Sequence, residues 1–200
     1  MQPSTLEASI GRDRVVARPP LSRAGTLVLV GLGAAALVLR TRLAVLPPSG
    51  RLLALTAVFG AILAASLLVP VAPGRRRLHP AIVLLVGAVA VAGASFAAGR
   101  PVPIPFGAWA LPLSLLAAVA EEALFRRAAF AALEPAGPAV AIGLTALLFA
   151  LIHIPLYGVA AFPVDLGAAL LFGWQRWASG TWTVSAGTHA AANLLAVMAR

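Results

Sequence analysis

WALPLSLLAAVAEEALFRRAAFAAL, residues 109–133, is an apolar segment interrupted by two adjacent glutamates and then by two adjacent arginines. Its first twelve residues carry no charge and are typical of a membrane helix, where one central charge costs about 2.5–3.5 kcal/mol. Glu121 and Glu122 therefore need a strong reason to follow them. One interpretation is a solvated helix end, in which Glu122 pairs with Arg126 at spacing i,i+4 and Arg127 lies beside them. The other is a buried polar site.

The composition of the whole chain favours a membrane protein. Of 200 residues, 61% are hydrophobic and 10% are charged, whereas a soluble domain usually carries about 25% charged residues. So short a chain cannot bury that much apolar surface, so we expect a lipid bilayer around it. The absence of cysteine excludes disulfides and thiolate chemistry. The net charge of +9 does not indicate a nucleic-acid partner, because the arginines lie mostly at the ends of apolar runs.

We predict an all-α fold, a polytopic transmembrane helix bundle with about seven membrane segments, of which the last two are short. Residues 1–23 form a polar cytoplasmic tail in this interpretation, and 24–200 form one transmembrane domain. A retained first helix is favoured over a signal peptide, because no small-residue cleavage site precedes Arg40 and Arg42. These two arginines interrupt the first segment, and we expect both to snorkel to an interface. The predicted segments are 25–46, 52–71, 81–98, 106–133, 138–157, 164–177 and 183–199.

The arginines also predict an orientation in an inner (plasma) membrane. With the N-terminus inside, Arg75, Arg76 and Arg77 face the cytoplasm, as the positive-inside rule requires. Other arginines fall outside against that rule, among them Arg40 and Arg51. With this topology we expect the two glutamates nearer the cytoplasmic face, in a water-filled cavity that opens toward the side of Arg75, Arg76 and Arg77.

Polar residues in two other apolar segments are candidates for the same site. His153 lies in an otherwise apolar run, with Phe149 one helical turn before it, and His189 and Asn193 share one face of the last segment. Each has an ordinary explanation, since a lone membrane histidine can be a packing residue and an asparagine can join two helices. Together with the glutamates, however, they place polar groups on three segments of one bundle.

Such a set could hydrolyse a peptide bond. A glutamate can take a proton from water and return it to a leaving amine, while His153 holds the water. His189 and Asn193 can donate hydrogen bonds to a developing oxyanion, and Arg126 can keep one carboxylate charged. Other chemistries lack their residues: the chain has no His-Glu-x-x-His zinc motif, and Asp165 is the only aspartate past the tail.

The residues resemble the CPBP (CAAX protease and bacteriocin-processing, or ABI) family of intramembrane proteases. Residues 121–126, EEALFR, match its Glu-Glu-x-x-x-Arg motif, and residues 149–153, FALIH, match Phe-x-x-x-His. Residues 189–193, HAAAN, match His-x-x-x-Asn, and the three motifs stand in the family's order across 121–193. The lead-in to the third motif, LFGW at 171–174 and SGTW at 179–182, is also similar. Residues 1–105 match only as apolar helices.

The resemblance implies an intramembrane endopeptidase that acts on a membrane-associated protein or peptide, with 24–200 as its protease domain. Bacterial sorting-type members are one group of this family to which the chain is compared. It makes Glu121 the general base, supports it with Glu122 and Arg126, and completes the site with the remaining polar residues, His153, His189 and Asn193. Two histidines and a glutamate can also bind zinc, but we favour a mechanism without metal or other cofactor. The alternatives are a non-catalytic immunity or scaffold protein of the same family and a proton-coupled transporter.

Overall fold

The computed structural model describes residues 21–97 and 107–198, and within these ranges it is a bundle of helices without β-strands. The expected all-α helix bundle is therefore confirmed. Most of the predicted tail, residues 1–20, lies outside the described residues. The helices are α1 (Arg23–Leu39), α2 (Pro48–Leu68), α3 (Pro80–Ala97), α4 (Ala110–Glu122), α5 (Phe130–Leu133), α6 (Pro138–Tyr157), α7 (Phe162–Ser179) and α8 (Trp182–Met198).

Local sequence explains where several helices begin. Ser22 precedes α1, and its hydroxyl accepts a hydrogen bond from the Gly25 N–H at 3.0 Å, as a helix N-cap does. Pro48 and Pro138 occupy the first turns of α2 and α6, where a missing N–H costs nothing. Arg23 was predicted to end the tail, but it is the first residue of α1, and its Nε donates to the Ala132 carbonyl at 2.7 Å.

Four helical stretches among the described residues are long and apolar enough to cross a membrane, by length and composition: 23–45, 48–68, 107–136 and 138–157. A shorter apolar helix covers 80–94. Large apolar side chains cover the outside of the bundle, and Leu32, Leu53 and Val89 are 69%, 73% and 65% exposed. A surface of this kind is stable in lipid and costly in water. The chain is therefore a membrane protein of several helical segments.

The predicted segment 106–133 is one continuous rod of three helical segments, two α-helical and one π-helical. Its start near Phe106 lies outside the described residues. From Ala110 it runs as α4, then as a π-helical segment, Ala123–Ala129, and finally as α5. The Phe130 N–H bonds to the Phe125 carbonyl, five residues back, which is the π-helical pattern. Short π-helical insertions of this kind often occur at functional sites.

This rod is the centre of the molecule. It packs against α1, α2 and α8, while α6 packs against α7 and α3 against α8. Six of the seven residues in the π-helical segment are buried, and Arg127 is the partly exposed one. A helix that is buried all round lies in the interior of a bundle. Polar groups on the rod must consequently find partners on the helices around it.

The loop between α2 and α3 is fixed to the turn between α7 and α8. The Gly74 N–H donates to the Gly180 carbonyl at 3.1 Å, and the N–H groups of Arg77 and Leu78 both donate to the Ala178 carbonyl at 2.9 Å. Gly180 has φ +75°, the left-handed conformation that favours glycine at a helix C-terminus. The bundle end that carries Arg75, Arg76 and Arg77, called the arginine end below, is thus built from both connections.

Candidate active site

Glu121 forms a buried ion pair with an arginine from the first segment. Arg40 begins the 3₁₀ turn Arg40–Val45 after α1, and its Nη1 lies 2.6 Å from Glu121 Oε1. Arg40 is 8% exposed and Glu121 is 3% exposed. The prediction that Arg40 snorkels to an interface is therefore wrong. A buried carboxylate within reach compensates its charge, so the side chain turns inward. Arg42, in the same turn, is exposed as expected.

His153 faces the other oxygen of Glu121. Its Nε2 lies 3.7 Å from Glu121 Oε2, and its Nδ1 lies 2.8 Å from the Phe149 carbonyl. Because a carbonyl only accepts hydrogen bonds, the Nδ1 must carry a proton, and in the neutral ring the Nε2 is then an acceptor. Tyr157 stacks on the same ring with centroids 5.7 Å apart. The predicted convergence of His153 on Glu121 agrees with this geometry.

Glu122 points toward a different set of partners. His189 Nδ1 lies 3.3 Å from its Oε1, and Arg126 Nε lies 3.5 Å from its Oε2. Successive residues on a helix point about 100° apart, so the nearest partners of two adjacent carboxylates differ. Glu121 faces α1 and α6, whereas Glu122 faces α8 and its own helical turn. The two carboxylates therefore have different nearest partners, although Glu121 also acts electrostatically on Arg126 and His189.

Arg126 lies inside the bundle with no exposed surface. Its Nη2 donates to the Ala169 carbonyl at 2.8 Å. Phenylalanine rings surround its guanidinium on three sides, with centroids at 4.9 Å (Phe149), 5.5 Å (Phe172) and 5.8 Å (Phe125). Phe172 also stacks on the His189 ring at 5.0 Å. The interpretation of this motif as a solvated helix end is thus wrong for Arg126, and cation–π contacts hold it in place.

The four charged residues form an electrically balanced group. Two carboxylates, Glu121 and Glu122, are matched by two guanidiniums, Arg40 and Arg126, and all four side chains are buried. A single unpaired charge there would cost several kcal/mol of solvation energy. Because each carboxylate has a guanidinium of its own, the bundle can hold two adjacent glutamates in its interior.

Asn193 lies apart from this group. Its Nδ2 donates to the Ser114 carbonyl at 2.9 Å, about two turns before Glu121 on α4. This bond joins α8 to α4, as amide side chains commonly do between membrane helices. The Asn193 amide contacts a backbone carbonyl and neither carboxylate, so this contact does not test a catalytic role. That role stays a prediction.

The site lies near the middle of the bundle and takes partners from the half that is distant from the arginine end. Glu121 is eleven residues past the start of α4. Arg40 follows the last residue of α1, and His153 lies four residues before the end of α6. These helix ends are opposite to the arginine end. The expectation that the glutamates lie nearer the face of Arg75, Arg76 and Arg77 than the opposite face is consequently not supported for Glu121.

Sequence reasoning missed Arg40, although a signal for it was present. An ionisable residue in a membrane segment is a candidate for a functional site, and its partner has to be another buried charge. Glu121 and Glu122, farther along the chain, were buried charges that could have been paired with Arg40.

Within residues 21–97 and 107–198, no group of three or more His, Cys, Asp or Glu side chains has an arrangement that could hold a metal ion. A reaction without metal stays a prediction.

Comparison with known proteins supports the assignment of the C-terminal half. Residues 103–195 match the family model described as type II CAAX prenyl endopeptidase Rce1-like. The matched region contains both glutamates and all three motifs, and it leaves out α1, α2 and Arg40. The resemblance to the CPBP family is confirmed for this region. No curated protein and no solved structure matches the chain.

Proposed function

Since residues 103–195 carry an Rce1-like endopeptidase region, we propose that this chain is an intramembrane endopeptidase in which Glu121 activates water to cut a peptide bond. The observation that carries this proposal is the arrangement of acceptors around Glu121. Its Oε2 and the His153 Nε2 lie 3.7 Å apart, and both are buried. Two acceptors at this separation suit one water molecule, which has two protons to donate.

The reaction follows from these positions. Water bound between Glu121 and His153 attacks the peptide carbonyl carbon and loses a proton to the Glu121 carboxylate. The oxygen of the carbonyl becomes negative in this step and needs a donor. We assign that donor to His189, which Glu122 holds through Nδ1, so that Nε2 is left to donate when the ring carries both protons. Glu121 then returns its proton to the leaving nitrogen as the C–N bond breaks.

Arg40 and Arg126 do not transfer protons in this scheme. Arg40 keeps Glu121 charged and fixed at one oxygen, and the other oxygen remains available to water. Arg126 fixes Glu122, and through it the orientation of His189. Preorganised charge of this kind usually supplies a large share of the rate acceleration. The substrate is a membrane-associated protein or peptide, because the site lies inside the bundle.

The experiment uses the full chain reconstituted in lipid nanodiscs. The first probe is a peptide with a prenylated cysteine near its C-terminus, chosen because the family description names prenyl endopeptidases. A matched peptide without the prenyl group is the second probe, and mass spectrometry identifies the new terminus. Glu121→Gln should lower cleavage at least about 10²-fold, since it preserves shape and removes the base. Glu134→Gln is the matched control, because Glu134 lies outside the site at the end of α5.

A second arm does not depend on the choice of peptide. The wild-type chain and Glu121→Gln are expressed in the same host, and the termini of membrane proteins are compared by mass spectrometry. Termini that require Glu121 support the proposal. If the wild-type chain cuts neither peptide and creates no such terminus, the endopeptidase assignment fails, and a scaffold or transporter explains the buried charges better. A chelator added to the active protein tests the metal-free mechanism, which expects no loss of rate.

A further inference from the structure

A cavity with two arginines in its wall lies at the arginine end, away from the carboxylates. It has a volume of about 200 Å³ and lies between the α2–α3 loop, the π-helical segment and the α7–α8 turn. We call it the arginine pocket. Its walls include Pro73, Arg127, Arg176, Gly180, Thr181 and Trp182. Two guanidiniums in one small cavity indicate an anionic ligand.

Neither guanidinium has a carboxylate partner. No acidic side chain lies within ion-pair distance of Arg127 or Arg176 in the part of the chain that the structure describes. Arg176 Nε donates to the Arg126 carbonyl at 3.1 Å, and Arg127 Nη1 donates to the Ser66 carbonyl. Each arginine has five N–H donors, and these bonds to carbonyls use few of them. Glu134 acts on Arg176 from beyond ion-pair distance, and the Phe130 ring lies 5.2 Å from its guanidinium. The two positive charges are therefore held in place without a direct ion pair.

Topology alone does not account for Arg176. The positive-inside rule requires arginines near the cytoplasmic surface, and the exposed Arg75, Arg76 and Arg77 satisfy it. That rule does not require burial, yet Arg176 is only 3% exposed. Burial of an arginine without a direct ion pair costs solvation energy, and a bound anion would restore it.

The backbone around Arg176 is shaped to this side chain. A Cβ atom on Gly74 would lie 2.2 Å from Arg176 Nη1 and 2.9 Å from the Gly180 carbonyl, so a larger residue there would displace the guanidinium and press on the α7–α8 turn. The Gly74 N–H bond to the Gly180 carbonyl holds the loop there. The same turn starts α8, a helix of 17 residues whose first residue, Trp182, lines the pocket. The N-terminus of a helix also carries a partial positive charge, which favours anions.

We propose that the arginine pocket binds a phosphate group, supplied by an anionic phospholipid headgroup or by free phosphate. A phosphate offers acceptor oxygens in several directions, which suits two guanidiniums on different helices. Trp177 and Trp182 lie at the same end, and tryptophan is enriched at the level of lipid headgroups. Basic pockets between membrane helices are known sites for such headgroups. This binding is independent of the proposed peptidase activity.

The test uses the full chain in nanodiscs of phosphatidylcholine, with or without phosphatidylglycerol. Native mass spectrometry counts retained lipid, and thermal unfolding measures its effect on stability. We expect phosphatidylglycerol to be retained and to raise the unfolding temperature. A separate arm adds inorganic phosphate to phosphatidylcholine nanodiscs. Stabilisation there identifies free phosphate as the source, and stabilisation by phosphatidylglycerol alone identifies the lipid.

Two variants change the arginine pocket in different ways. Arg127→Gln with Arg176→Gln removes both charges, and Ala72→Glu places a carboxylate beside them from an exposed position on the wall while both arginines remain. Each should lower retention of the anion at least about fivefold. Arg75→Gln is the matched control, because it removes an exposed charge at the same end. If the double variant fails to fold, anion retention by Ala72→Glu tests the proposal on its own. Equal retention in Ala72→Glu and wild type, or no anion effect in either arm, overturns the proposal.

Discussion

The ion pair between Arg40 and Glu121 gives the sharpest prediction for stability. Its two atoms are 2.6 Å apart, and the side chains are 6% and 4% exposed. Removing one member of a buried pair costs about 3–5 kcal/mol, because the other charge is left without a partner. For a chain of this length, 1 kcal/mol corresponds to about 2–4 °C in the unfolding temperature. We therefore expect Arg40→Met to lower that temperature by about 6–20 °C.

A double-mutant cycle separates pairing from packing. The double variant Arg40→Met with Glu121→Gln has neither charge. Its loss in the free energy of unfolding should therefore be well below the sum of the losses of the two single variants. The expected coupling is about 2–4 kcal/mol, which is within the range for contacting charges. Unfolding is followed by tryptophan fluorescence in nanodiscs of one fixed lipid composition. Arg42→Met serves as the control, since Arg42 lies in the same turn and is exposed, and it should change stability by less than about 0.5 kcal/mol.

Additive losses in this cycle would refute the reasoning, because they would show that the two side chains do not stabilise one another. Activity gives an independent check on the same variant. Arg40→Met leaves the base and the His153 contact in place, so the protein that remains folded should still cleave substrate, at a reduced kcat. A variant as active as wild type would show that Arg40 has no part in positioning Glu121.

The remaining predictions concern three other positions. His153→Ala should lower kcat about 10²-fold in the peptide assay while the protein still folds, since it removes one acceptor for water; an unchanged kcat would remove His153 from the mechanism. Gly180→Ala should destabilise by at least about 1–2 kcal/mol, because the residue is left-handed and an added Cβ would lie 2.6 Å from the Gly74 carbonyl. Gly31→Ala is the control, because a Cβ atom there would have no atom within 4 Å and should not destabilise the protein. Equal unfolding temperatures for Gly180→Ala and Gly31→Ala would contradict the prediction. Asn193→Ala should cost about 1 kcal/mol through loss of its bond to a backbone carbonyl, and thermal unfolding with no shift would show that the bond is not stabilising.

The sequence predicted the helix bundle well, because apolar composition and segment length are properties of the chain itself. The three motifs also identified side chains that come together, with His153 at Glu121 and His189 at Glu122. What could not be predicted was the direction of each carboxylate. Adjacent glutamates look alike in the sequence, and only the packing of neighbouring helices decides which of them faces α1 and which faces α8.

Arg40 shows a second reason why sequence reasoning stopped short. An arginine at the end of an apolar segment can reach an interface or turn inward, and the two outcomes have the same local sequence. The choice depends on a carboxylate 81 positions away in the chain. The role of Asn193 was equally open, because its spacing from His189 fixes a shared helix face and not the atom that the amide meets.

The π-helical segment has a consequence for chains of slightly different length. A turn closed by a bond to the fifth residue contains one residue more than an α-helical turn, so Ala123–Ala129 holds a position that an ordinary helix would not need. Deleting Ala123 would shorten the interval between Glu122 and Arg126 and rotate the arginine by about 100° out of its phenylalanine cage. Deleting Ala129 would keep that interval and let the segment close as an α-helix, with α5 still in position for its bond to Arg23. Of two single-residue deletions six positions apart, only the first would then disturb the site.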